Sequence, residues 1–99
     1  MDLKSIKEKY PRIVEANEIV GVYEFKIEGL DMPLKVKVIR SDNGNYHGIA
    51  NLEVKGENCA TYYRSIEALK SEEEAVENAV DGFFMFYSDK ADVRKVRDW

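Results

Sequence analysis

Cys59 and His47 are the only thiol and the only imidazole in this chain of 99 residues. An imidazole within hydrogen-bond reach of a cysteine lowers the thiol pKa and makes a nucleophile, so the pair is the candidate catalytic set of a small cysteine-dependent enzyme. The competing reading is plainer. A lone cysteine usually serves as a small buried hydrophobe, and a lone histidine on a strand's outer face is usually solvated. One residue of each kind also falls short of the three or four ligands that zinc sites take, so no metal is expected. With no phosphate-cradling glycine loop, no G-x-S-x-G and no dinucleotide fingerprint, no cofactor is expected either.

Tyr62, Tyr63 and Arg64, together with Tyr46, form a second candidate: an aromatic and basic surface of the kind on which single-stranded bases stack. Tyrosine pairs near strands more often bury their rings and keep the hydroxyl wet. Glu72, Glu73, Glu74 and Glu77 bring carboxylates together, but as a run opening a helix they complement its dipole and stay solvated. A third candidate is a partner-binding surface, either the polar side of strands at Glu24, Lys35, Lys37 and His47 or an exposed strand edge, with Met85 isolated on the charged side of a helix.

The elements that position these residues are read from periodicity and punctuation, since the chain has no internal repeat and no linker tract. Asp2 is the N-cap of a short helix carrying Leu3, Ile6 and Tyr10; Pro11 ends it or opens a second turn through Arg12 to Ala16, which Asn17 closes. From Ile19 to Glu28 the period is two, with Tyr23, Phe25 and Ile27 opposed to Glu24, Lys26 and Glu28. After turn residues Gly29, Asp31 and Pro33, Leu34, Val36 and Val38 alternate with Lys35 and Lys37, so the two strands make a hairpin whose outer charges pair.

Asn43-Gly44 marks a second turn before a third strand, Tyr46 to Val54. A two-residue loop there pairs Val38 with Ile49 and turns Gly48, Ala50 and Leu52 outward. An odd-length loop or a bulge is therefore expected, which turns Gly48, Ala50, Leu52 and Val54 inward, where small residues let a helix approach. Cys59 to Tyr63 reads as a short fourth strand or an extended loop. Ser71 with Glu74 is a capping box and the strongest local signal in the chain. On the helix it opens, Val76, Val80, Phe83, Phe84 and Tyr87 form the stripe for the sheet, and Ala75, Ala79, Gly82 and Phe86 its smoother flank. Gly82 costs about 1 kcal/mol relative to Ala in a helix interior, so a close contact is expected there. Val93, Val96 and Trp99 fall at helical spacing, so 89–99 reads as a short docking helix or a frayed tail.

The order helix, three antiparallel strands, helix resembles the double-stranded-RNA-binding domain in topology. That family opens its last helix with a lysine-rich turn that grips phosphates; here the matching turn is Glu72-Glu73-Glu74, of the wrong sign, so duplex RNA binding is not expected. Asn43-Gly44-Asn45-Tyr46-His47-Gly48 and the run from Ser71 to Ala79 resemble the pattern of HicB-like antitoxin domains, which implies a regulatory protein that binds another protein. The tract from Tyr62 to Tyr87 also resembles small prokaryotic domains without an assigned role.

The expected fold is α+β, in the order α-β-β-β-α: a single domain over 1–99 with a three-stranded antiparallel sheet, four-stranded if Cys59 to Tyr63 joins it, packed by helices on one face. A composition of 44% hydrophobic and 11% aromatic residues suffices for one core without staples. The single cysteine allows no intramolecular disulfide, and no apolar run approaches the length of a bilayer span, so the expected location is cytoplasmic, with no membrane. A net charge of −4 disfavours nucleic acid, which leaves another protein, or a second copy, as the expected partner. The function expected on these grounds is a small non-enzymatic protein-interaction or regulatory module, antitoxin-like in one version. A single-stranded nucleic-acid binder through Tyr62, Tyr63 and Arg64 and a cysteine-dependent enzyme through Cys59 and His47 are the alternatives.

Overall fold

The computed structural model describes residues 1–99. It is an α+β protein of two helices and five strands in the order α1 (Leu3–Lys9), β1 (Asn17–Phe25), β2 (Leu34–Ser41), β3 (Tyr46–Ala50), β4 (Leu52–Lys55), α2 (Glu72–Phe86) and β5 (Asp92–Lys95). β1, β2 and β3 form one antiparallel sheet in that order, and β4 pairs with β5 in a second, also antiparallel.

The register of the first sheet follows from its second turn. Arg40 pairs with Tyr46 and Val38 with Gly48. The loop is thus the three residues Asp42-Asn43-Gly44, closed by the Ser41 amide donating to the Asn45 carbonyl at 2.9 Å. Gly44 takes a φ of +87°, which its lack of a Cβ permits. The odd length turns Gly48 and Ala50 to the same side as Val36 and Val38, and all four are buried.

α2 lies across that side. Ser71 caps it, its Oγ accepting from the Glu74 amide at 3.1 Å, while the Glu74 carboxylate reaches back to the Lys70 amide at 3.2 Å. The side chains of α2 that are buried are Ala75, Ala79 and Phe83, with Gly82 beside them, so the small-residue flank meets the sheet and Phe84 is left half exposed. Small residues win because the backbones come close: a Cβ on Gly48 would run into the Ala75 carbonyl. Leu34, Ala50, Leu52, Val54 and Phe83 form one core cluster, and Val36, Val38, Ala75 and Ala79 the other.

Two local expectations are corrected, and two alternatives are decided. The third strand breaks at Asn51, whose Oδ1 accepts from the Lys35 amide at 2.7 Å and whose Nδ2 donates to the Pro33 carbonyl at 3.2 Å. These bonds tie it to the start of β2, and the chain beyond leaves β2 to pair with β5. Residues 92–95 are accordingly a strand rather than a helix, because Val93 opposite Val54 gains a pairing partner that a helix would forgo. Pro11 ends the first helix: it lies with Arg12 in a turn closed by the Ile13 amide donating to the Tyr10 carbonyl at 2.9 Å, residues 13–16 form no helix, and α1 itself has no buried residue. Cys59 to Tyr63 is a turn followed by a single bridge, Tyr63 to Val54.

Candidate functional site

The register fixes which side chains share the face of the first sheet turned away from α2. Glu24 stands opposite Lys35, Val22 opposite Lys37, and Ile19 opposite Ile39; across β2, Lys37 meets Ile49 and Ile39 meets His47. The partner-surface residues Glu24, Lys35, Lys37 and His47 therefore lie together on one face. Met85 does not join them; it is 74% exposed on α2, on the far side of the molecule.

Between those polar residues lies an apolar centre that the sequence reading missed. Ile19 is 62% and Val22 56% exposed, and Ile39 and Ile49 fill the middle of the face. A sheet face turned to water ordinarily alternates toward polar residues, so four β-branched apolar side chains there need an explanation. The signal was available: once Gly48 faces inward, Ile39 and Ile49 must face outward.

Two chain segments frame this face along β3. Tyr46 and Leu69 exchange backbone hydrogen bonds at 2.9 and 2.8 Å. Trp99 donates from Nε1 to the Ile49 carbonyl at 2.7 Å, and Lys37 Nζ donates to the Trp99 carbonyl at 2.9 Å while sitting 5.1 Å from the indole centroid. Where residues 64–66 approach the sheet is an open cavity of about 170 Å³. Ile39, Ile49 and Ile66 are its apolar walls, and His47, Arg64 and Glu15 its polar ones, with Ser65 at the base. Ser65 is buried and its Oγ accepts from Asn78 Nδ2 at 2.6 Å, which fixes the 64–66 segment against α2.

β1 is the open edge of this sheet. It is blunted by a bulge between Ile19 and Gly21 and by the charges of Glu18 and Glu24, devices that discourage strand addition.

The other two candidate sets come apart. Gly48, next to His47, abuts Ala75, and Gly56, in contact with Cys59, abuts Phe86. Eleven helical residues separate those two contact points, about 16 Å at 1.5 Å per residue, so His47 and Cys59 sit at opposite ends of α2. Tyr63 turns its ring into the gap beside Gly82 and against Phe86, with centroids 5.0 Å apart. Tyr62 faces the other way and is engaged on its own terms. Its hydroxyl donates to Asp92, and Arg94, itself paired with Glu53, covers the ring at 3.6 Å. The bond to Asp92 raises the Tyr62 hydroxyl above its ordinary pKa of 10.0. Of the three residues, only Arg64 faces the cavity.

No three of the histidine, cysteine, aspartate and glutamate side chains converge as a metal-ligand set, and no helix is long and apolar enough to cross a membrane. Comparison with protein-family models, with curated proteins and with solved structures returned no match.

Proposed function

We propose that this chain is a non-enzymatic protein-interaction module that docks its partner on the outer face of the β1-β2-β3 sheet. The observation that carries the reading is the apolar centre of the face, where Ile19 and Val22 are exposed beside half-buried Ile39 and Ile49, extended over the 64–66 segment by Ile66, which is 76% exposed. Such a patch rimmed by polar groups is the usual surface of association, and burying it supplies the favourable term that the charges around it then orient. A partner that is a small nuclease would make the module a regulatory, antitoxin-like protein.

The reading is tested by using the full chain as bait in a lysate of its source organism, alongside a Val22→Asp, Ile66→Asp double variant. A stoichiometric protein partner held by the wild type and lost by the variant is the expected result. A partner retained at full strength by the variant sinks the reading.

A further inference from the structure

The cavity beside β3 gives the partner a chemistry, on the premise that the outer face is the docking surface. Three branched aliphatic side chains, Ile39, Ile49 and Ile66, wall a volume of about 170 Å³, the size of one large apolar side chain rather than of a folded element. Anchors of this kind, seated in a pocket with polar groups at the rim, carry most of the binding energy of protein interfaces.

The charges at the rim are not equally available. Glu24 is paired with Lys35 at 3.9 Å, and Lys37 is held by the carbonyl and the ring of Trp99. Glu15 accepts a hydrogen bond from Asn17 Nδ2 at 3.1 Å, which orients it within its own segment. Arg64 is exposed, lines the cavity and enters none of the ion pairs of the structure. It presents a forked donor with no acceptor of its own, suited to a carboxylate. At the cavity itself the charges are Arg64 and Glu15, one of each sign, and of the two Glu15 has a hydrogen-bond partner within its own segment while Arg64 has no ion-pair partner.

We propose that this cavity is an anchor site for an acidic peptide segment of the partner: one large apolar side chain enters between Ile39, Ile49 and Ile66, and a neighbouring Asp or Glu pairs with Arg64.

The test is selection of a random peptide library displayed on phage against the immobilised full chain, in parallel with Arg64→Glu and Ile66→Asp. Both substitutions are at exposed positions, and unchanged thermal unfolding confirms that each variant is folded. The wild type is expected to enrich peptides with one large apolar residue flanked by Asp or Glu. Ile66→Asp should recover them about tenfold less well, a loss of about 1.4 kcal/mol. Arg64→Glu should replace the flanking acids by Lys or Arg. Acid-free peptides from the wild type, or acids retained on Arg64→Glu, overturn the proposal; if Ile66→Asp still lowers recovery about tenfold, the outer-face reading stands without it. Peptides indifferent to both substitutions overturn both. If no sequence is enriched, the acidic-peptide proposal fails, and light scattering then decides the outer face: self-association broken by Ile66→Asp would put the acidic α2 face of a second copy there instead.

Discussion

Gly48 of β3 lies so close to Ala75 of α2 that a Cβ at position 48 would meet the helix carbonyl. The two residues set the distance between helix and sheet, and with it the whole inner core. Gly48→Ala is therefore expected to destabilise the protein by about 1–3 kcal/mol, the usual cost of overpacking a close contact. A lower urea midpoint at unchanged slope is the measurement. Gly82→Ala should cost less, because what its Cβ would displace is the outer end of the Tyr63 side chain rather than backbone, and the gain in helix propensity offsets part of the strain.

Asn51 sits where the two sheets meet: its side chain bonds the Lys35 amide and the Pro33 carbonyl at the start of β2, and its own carbonyl accepts from the Val96 amide at 2.8 Å, just after β5. Asn51→Ala leaves the Lys35 amide and the Pro33 carbonyl without those partners at a half-buried position. A loss of about 1–3 kcal/mol is expected by thermal or urea unfolding, with amide exchange at Lys35 speeding up more than exchange at Val38.

Much of this arrangement was legible in the residues themselves, and what was not has a physical reason in each case. Asn43-Gly44 with small residues at 48 and 50 was enough to reject a regular two-residue loop, because an odd loop or a bulge is needed to turn Gly48 and Ala50 inward, and the structure takes the odd loop. Ser71 and Glu74 marked α2 to the residue. β5 was hidden because Val93, Val96 and Trp99 have helical spacing, and its pairing with β4 depends on a partner some forty residues away. Asn51 looked like any outer-face polar residue, since nothing local says that its side chain caps β2. Of the candidate sites, the outer-face residues follow strand parity and were found together. The separation of His47 from Cys59, and the opposite facing of Tyr62 and Tyr63, depend on how β4 and the segment after it pack against α2.

The Tyr62 hydroxyl donates to Asp92, and this bond raises its pKa above 10.0. A raised folded-state pKa means that the stabilisation is whole below the unfolded value and is lost as the pH rises through the folded one. Tyr62→Phe should therefore unfold at a lower temperature than the wild type at pH 8, with the difference shrinking above pH 10. The ultraviolet phenolate titration of the wild type should contain a late-ionising component that the variant lacks.

Apolar residues kept for the core should be costly to make polar, and those kept for a partner should not. Val22→Thr and Ile66→Ser, at exposed positions on the outer face, are expected to change unfolding free energy by no more than about 0.5 kcal/mol each. Val36→Thr, the same change of shape on the buried side of the same sheet, should cost about 1–3 kcal/mol for the hydroxyl it buries. Equal costs on the two faces would mean that the outer patch serves the fold.

Trp99 is the only tryptophan, and it is tied to both sides of the proposed docking surface: its Nε1 bonds the Ile49 carbonyl, and Lys37 holds its carbonyl and ring. Ile49 also walls the cavity, so a side chain entering there excludes water from the neighbourhood of the indole. Lys37→Ala should release the ring, shifting its emission to the red and making it more accessible to acrylamide. Docking of an acidic apolar peptide should move both signals the opposite way, toward a drier ring, and Ile66→Asp should abolish that response while leaving the unliganded spectrum unchanged. A spectrum that ignores a peptide shown to bind by another method would put the peptide somewhere other than the cavity beside β3.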